Sequence, residues 1–548
     1  MKNPSVAEVV GHTIAAQGVT DAFGVVGSGN LIVTNALREG GARFHPACHE
    51  GPATCMADGY ARVTDRVGVV TVHQGPGLTN TLTGLAEAAK SRTPLLVLAG
   101  ETPAAALTSN FRIDQHDLVE SVGAIADRVH GPRTAADDAQ RAFHRARTER
   151  RPVVLMLPID IQPQPAGATE PTQPPPPTLP GPEPNPDSIR AAADILAASE
   201  RPAIIAGRGA VIAGAGPELE RLGEQIGAIL ATSAPANGLF AGLPYALGIS
   251  GGFASPFAAE LLPQADTVLV VGASVNHWTT KHGAMINPDA KVIQVDVDIR
   301  GIARNRPVTA GIVGDARSTA TELLAALGET RHTGFRTQEL ASEIAQRRWR
   351  DVQYDDASTY THIDPRTLSI ALNDRLPSDR SVAVDSGHFL GWPSMYLDVP
   401  DAHSWVFPNG FQAVGLGLGN AIGAAVAKPN RTTVAAIGDG GALMALAELE
   451  TAARLHLHNL VVLIYNDAAY GAEVHHFAPM GRDVKVVQFR DADLAAIARA
   501  AGCEGHTIRT TDDLRAVDEW ERSRPLVLDA KVDPTIVAEW LEEAFRAG

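Results

Sequence analysis

Cysteine is nearly missing from this chain. Cys48, Cys55 and Cys503 are the only three, at spacings that make neither a disulfide framework nor a metal site, and this usage suits a reducing cytoplasm. Positive charge is also short: 46 Lys and Arg stand against 62 Asp and Glu, a net charge of −16, which argues against nucleic acid or an anionic membrane as partner. No uncharged apolar run approaches the roughly 20 residues needed to cross a bilayer. The first residues carry Lys2, then Glu8 and His12 within an amphipathic helix pattern, which is not the pattern of a signal peptide. Aromatic residues are scarce at 5%, while overall apolar content is that of a globular protein.

At 548 residues the chain has the length of several domains, each large enough to bury a core. Residues 1–162 alternate helix patterns with short apolar strands at 67–72, 95–98 and 153–157, which reads as a parallel α/β unit. Residues 163–187 are so rich in proline that they read as a semi-rigid linker. A second α/β block follows at 188–328, with strands at 203–205, 267–271 and 292–295. An Arg-rich helical stretch within 329–362 leads to a third block, 363–548. In the middle block Gly207-Arg208-Gly209-Ala210 lacks the remainder of a dinucleotide fingerprint and reads as a turn.

The chemistry concentrates in the third block. Gly438-Asp439-Gly440 is followed by Asn466-Asp467, and residues 441–465 between them read as an Ala/Leu-rich helix and then a continuous apolar strand. Asp439 and Asn466 each offer one oxygen to a small hard cation, and a Gly-rich turn entering a helix, Gly438, Gly440 and Gly441, suits an anion. Mg²⁺ takes about six oxygens and commonly bridges carboxylate to phosphate, so the pattern describes a seat for a diphosphate. A lone Gly-Asp-Gly would be an ordinary turn. The gap, helix and strand together resemble the diphosphate motif of thiamin-diphosphate enzymes. That resemblance implies Asp439, Asn466 and the Ala468 carbonyl as metal ligands. Asp467 departs from the family pattern, which has a second Asn there.

A second stretch agrees with the first. Glu50 precedes a small-residue helix ending in Gly59-Tyr60-Ala61-Arg62, as in the thiamin-diphosphate decarboxylase and acetolactate synthase superfamily. The resemblance makes Glu50 the acid that protonates the cofactor's aminopyrimidine, and burial among Val, Met and Ala side chains would favour its protonated form. Taken alone, Glu50 reads equally as a carboxylate at a helix start. Gly410 to Gly417 resembles the segment that wedges the cofactor, with Val414 as the wedge and Gln412 beside it. Gly387 and His388, after an apolar strand, and Tyr470 and Gly471, after Asn466, are expected around the diphosphate.

Within the superfamily the motifs sit nearest to benzoylformate decarboxylase. Phe23-Gly24-Val25-Val26-Gly27-Ser28 resembles its turn carrying a substrate-facing Ser, and His73 falls where it carries a catalytic His. Read by itself, His73 is also an ordinary strand-end histidine. Gln115, in Asp114-Gln115-His116-Asp117, resembles the Gln of acetolactate synthases. His277, His282 and the pair His475-His476 have no assigned role. The expected function is decarboxylation of a 2-oxo acid by thiamin diphosphate and Mg²⁺. The alternatives are an acetolactate-synthase-like carboligase, or a lyase of 2-hydroxy ketones or 2-hydroxyacyl compounds. A non-catalytic paralogue would have lost Glu50 or Asp439, and a nicotinamide dehydrogenase would need a full glycine fingerprint.

The first and third blocks look like distant copies: glycine, small-residue helix, polar turn and apolar strand recur at 77–100 and 441–465. The family architecture implied is three doubly wound parallel-sheet domains, pyrimidine-binding, central and diphosphate-binding. Its cofactor lies between the first domain of one subunit and the third of its partner, which implies a homodimer at minimum and a homotetramer as its common form. The resemblance leaves open whether FAD or ADP occupies the central domain.

Overall fold

In the computed structural model, residues 3–166, 180–329 and 331–545 are described; of the expected proline linker, 167–179 lie outside the described residues. Residues 163–166 already belong to the first domain, since Val6 N–H donates to the Gln164 carbonyl and Ala166 N–H to that of Pro4.

The chain builds three six-stranded sheets in which every pairing between strands is parallel. The first contains β1 (Asp21–Gly24), β2 (Arg43–Pro46), β3 (Gly68–Val72), β4 (Leu95–Glu101), β5 (Ile125–Arg128) and β6 (Pro152–Pro158), in the order β2-β1-β3-β4-β6-β5. The second contains β7 (Pro202–Ala206), β8 (Ile229–Thr232), β9 (Ala246–Ile249), β10 (Thr267–Val271), β11 (Lys291–Asp296) and β12 (Ala310–Val313), in the order β12-β11-β10-β7-β8-β9. The third contains β13 (Arg380–Val384), β14 (Trp405–Val406), β15 (Thr432–Gly438), β16 (Leu460–Asn466), β17 (Glu504–Ile508) and β18 (Leu526–Lys531), in the order β14-β13-β15-β16-β18-β17. Strands β4, β6, β15, β16 and β18 are buried along their whole length, the signature of parallel strands covered on both faces.

Strand for strand, the first and third sheets have the same order, so the repeat read in the sequence is a repeat of topology. The two domains also share a core: Met56, Tyr60 and Val72 of the first belong to one apolar cluster with Leu418, Ile422 and Ile437 of the third. The contact is made by helix Glu50–Thr64 lying on helix Gly417–Ala427. Glycine lets the two backbones meet: a Cβ on Gly423 would sit 1.8 Å from the Met56 carbonyl oxygen, and one on Gly59 would sit 2.1 Å from that of Asn420.

Candidate active site

Parallel pairing of β15 with β16 places Gly438 opposite Tyr465, so Asp439 and Asn466 leave neighbouring strands at the same carboxyl edge. This is why residues far apart in sequence converge. The Asn466 amide donates to Asp529 Oδ1 at 2.8 Å, and Asp529 in turn is held by Lys531 Nζ at 3.0 Å. Asn466 Oδ1 accepts only the Ala468 N–H, at 3.2 Å. Asp439 and Asp467 share a hydrogen bond; loss of solvent pushes both above the usual carboxylate range, and the neighbouring Asp467 charge raises Asp439 further. Ala468 adopts a left-handed backbone (φ 56°), and its carbonyl already accepts the Phe489 N–H at 2.7 Å, so one lone pair is left for a further contact.

Side chains are excluded around this acid pair. A Cβ on Gly440 would meet the Tyr470 ring at 2.6 Å, one on Gly441 the Asp385 carboxyl at 2.4 Å, and one on Gly471 the Asp467 carboxyl at 2.4 Å. Gly438 packs as closely on the Phe389 ring. Two buried acids, an oriented amide oxygen and a cradle of glycines fit a divalent cation carrying a diphosphate. The cradle opens into a cleft of about 2100 Å³ lined by residues of all three domains, whose wall includes His388, Gln412 and Val414.

Asp385 fixes the segment after Val414. Its buried carboxyl accepts the N–H groups of Gly415 and Leu416, and burial raises it to about 6. Gln412, just before, is left-handed (φ 61°). His388 is buried, with Nε2 accepting the Ala538 N–H at 2.8 Å, and burial and then His475 lower it to about 3; it is a neutral ring with its proton on Nδ1. The His475 ring lies 4.4 Å from it, His476 stacks on Phe545, and His282 donates to the Glu543 carbonyl. His277 stands 5.3 Å from His282, so these histidines gather round the last described segment of the chain.

The first domain carries a separate group. Glu50 is the first residue of its helix and lies ahead of the buried stretch that begins at Ala53. It was expected to be enclosed by apolar side chains; it is half-exposed, and its Oε2 accepts the Asn80 amide at 2.9 Å. Gly77 separates it from His73: a Cβ there would lie 3.2 Å from His73 Cβ and 3.5 Å from Glu50 Oε1. His73 Nδ1 accepts the Gly29 N–H at 3.0 Å, its ring meets Phe111 edge-on, and burial lowers its pKa against the opposing pull of Glu50. Ser28 is exposed between Gly27 and Gly29, both packed against that ring. Gln115 lies in the same region. It is buried, accepting from Gly75 N–H and donating to the Gly100 carbonyl, so its amide holds the loop under His73.

Glu50, His73, Ser28 and Gln115 are all absent from the wall of the cleft that holds Asp439. Within one chain the Glu50 group and the Asp439 cradle are therefore two separate groups of residues. The Gly207-Arg208-Gly209 turn behaves as a structural turn: Gly207 N–H donates to the Val271 carbonyl and Gly209 N–H to that of Gly272. Sequence reasoning passed over Asn80, Glu87, Glu448 and Asp529. Of these only Asn80 had a visible signal, its place at the start of the helix repeated in the third domain.

Comparison with known proteins agrees with this geometry. Three family models match in order: the thiamine pyrophosphate enzyme N-terminal TPP binding domain at residues 4–121, the central domain at 189–323, and the C-terminal TPP binding domain at 385–530. A sulfoacetaldehyde acetyltransferase of Alcaligenes xylosoxydans xylosoxydans is 29% identical, over 93% of this chain and 89% of its own. A probable 2-ketoarginine decarboxylase of Pseudomonas aeruginosa is 31% identical, over 95% and 91%. The acetolactate synthase isozyme 3 large subunit of Escherichia coli is 30% identical, over 97% and 96%. With all three domains matched and the acid–amide cradle in place, the chain belongs to the thiamine pyrophosphate enzymes.

Proposed function

We propose that this enzyme decarboxylates a 2-oxo acid, with thiamin diphosphate held through Mg²⁺ at Asp439, Asn466 and the Ala468 carbonyl. The observation that carries the reading is the pair of buried acids, Asp439 and Asp467, set beside the oriented Asn466 in a cradle too tight for any Cβ. Bound there, the cofactor supplies the electron sink for the bond broken beside the carbonyl. Val414, next to the segment that Asp385 clamps, would support its rings, and Gly387, His388, Tyr470 and Gly471 would hold the diphosphate.

Glu50 supplies the proton at N1′ of the aminopyrimidine. His73, neutral and with Nδ1 occupied by Gly29, presents Nε2–H for proton transfer at the substrate, and Ser28 stands beside it. Because Glu50 and Asp439 lie in separate groups within one chain, the working unit is at least a homodimer. Exposed apolar side chains flank both groups, Leu31, Ile32 and Phe111 on one side and Leu443, Met444 and Phe477 on the other, and a second copy would cover them. The three free cysteines support a cytoplasmic setting.

A second reading is carboligation, in which a second carbonyl compound takes the place of the final proton. The likeness to the acetolactate synthase isozyme 3 large subunit, 30% identical over 97% of this chain, favours it. The test is calorimetric titration of thiamin diphosphate with Mg²⁺ present, followed by CO₂ release from a panel of aliphatic and aromatic 2-oxo acids, with and without an added aldehyde. Uptake and CO₂ release are expected, and a 2-hydroxy ketone in the aldehyde arm identifies the ligase. Absence of cofactor uptake overturns the proposal.

A further inference from the structure

Two buried glutamates form one device that occurs twice. Glu448, on helix Glu448–Arg454 of the third domain, reaches the first domain: its Oε1 accepts the His49 N–H at 3.0 Å and its Oε2 the Cys48 N–H at 3.4 Å. Glu87, on helix Leu82–Lys90 of the first domain, reaches the third: its Oε1 accepts the Gly410 N–H at 3.2 Å and its Oε2 the Phe411 N–H at 2.7 Å. Each carboxylate thus spends both oxygens on two successive backbone N–H groups of the other domain. Glu448 is 0% exposed and Glu87 1%.

The two are equivalent in the repeated fold. Glu87 lies in the crossover from β3 to β4, and Glu448 in the corresponding crossover from β15 to β16. The clamped segments correspond too: Cys48-His49 runs from β2 into helix Glu50–Thr64, and Gly410-Phe411 lies between β14 and helix Gly417–Ala427. Those are the helices that pack on each other through Gly59 and Gly423. What each clamp holds is not ordinary core. His49 immediately precedes Glu50, and Phe411 leads through left-handed Gln412 to Val414.

Glu87 has further donors, Arg62 at 2.9 Å and Ser91 at 2.6 Å, and Arg62 also donates to Asp58 and to the Phe407 carbonyl. Glu448 has no arginine on it among the described residues; its oxygens meet Cys48, His49 and Thr451. Burying a carboxylate is costly, and backbone N–H donors on both oxygens offset that cost while holding those groups in place.

We infer that Glu448 and Glu87 are positioning residues, each fixing the cofactor-facing segment of the opposite domain: Glu448 sets Glu50, and Glu87 sets the Val414 loop. The inference rests on the proposed roles of Glu50 and Val414. Glutamine is the informative replacement, because it keeps the shape but turns an NH₂ toward one of the two N–H groups.

The experiment uses the full-length enzyme with thiamin diphosphate and Mg²⁺. Cofactor affinity is measured by calorimetry, and exchange of the thiazolium C2 proton at saturating cofactor by quenched-flow NMR, a readout that needs no substrate. For Glu448→Gln the expected result is near-wild-type affinity with C2 exchange slowed about tenfold or more, since sub-ångström misplacement of an acid is felt directly in rate. For Glu87→Gln affinity is expected to fall roughly fivefold, the loss of about one hydrogen bond. In the wild type, amide exchange of peptides spanning 47–50 and 409–412 should show protection, a measurement that stands even if a variant fails to fold. Free exchange at those amides, or Gln variants matching the wild type in both affinity and C2 exchange, overturns the inference. Failure of the wild type to take up cofactor would instead overturn the function, leaving the clamps to the amide measurement.

Discussion

Asp439 and Asp467 share a hydrogen bond in the glycine cradle, with the Gly440 N–H donating to Asp439 and the Ala469 N–H to Asp467. Lys531, the nearby cation, is occupied by Asp529 and Asp491. The pair therefore holds a proton that a divalent cation would displace.

The sign of the pH effect follows. Both acids have folded pKa values raised above the ordinary 3.8, so the native state holds more protons than the unfolded chain, and metal-free stability falls as pH rises from that value through the raised range. Mg²⁺ should relieve this, its stabilising effect growing with pH over the same window. Asp467→Asn should raise the melting temperature of the metal-free protein at neutral pH and flatten the pH dependence of the Mg²⁺ effect. Calorimetric melts with EDTA or Mg²⁺ across pH check both; a variant whose metal-free melts keep the wild-type slope counts against the shared proton.

The Glu50 carboxylate accepts the Asn80 amide and acts on the His73 ring across Gly77. Glu50→Gln leaves the diphosphate cradle untouched, so cofactor affinity should persist while turnover falls by about 10²–10⁴, the range for a lost acid–base group. Affinity by calorimetry and rate by CO₂ release separate the two effects. Full turnover in this variant would remove Glu50 from the mechanism.

Legibility in the sequence divided along the same physical line as the site. Asp439, Asn466 and the strands that carry them could be read because parallel strands leave continuous apolar runs, and the helix between them has its own period. The sharing of one core by the first and third domains could not, since Gly59 and Gly423 look like any other helical glycines until the partner backbone is seen. Gln115 carries no mark of burial in its neighbours Asp114 and His116, so its hydrogen bonds to Gly75 and Gly100 had no signal in the sequence. Glu87 and Glu448 were silent for a related reason: a carboxylate bound to remote N–H groups has no partner nearby in sequence.

The crossing of the two domain-joining helices gives a direct test of that shared core. Gly423→Ala would place a methyl 1.8 Å from the Met56 carbonyl, backbone that has no rotamer with which to yield. Overpacking of this kind costs about 1–3 kcal/mol. Helix propensity alone would favour alanine over glycine by up to about 1 kcal/mol, so the two effects oppose each other and the sign is informative. The expected result is destabilisation in denaturant melts; stabilisation would mean the helices do not meet as described.

His388 makes the complementary case to the acids. Its folded pKa is depressed from 6.5 to about 3 by burial and by His475, so the unfolded chain binds the extra proton first. The contribution of His388 to stability is therefore full above pH 6.5 and is lost as pH falls through the interval down to about 3, with a slope approaching 1.4 kcal/mol per pH unit. Glutamine can still accept the Ala538 N–H while carrying no titrating proton. His388→Gln should thus hold the segment at Ala538 and remove this share of acid sensitivity, seen as a shallower decline of unfolding free energy between pH 6.5 and 4. An unchanged decline would assign the acid sensitivity to other groups and show that the ring is not held neutral by burial.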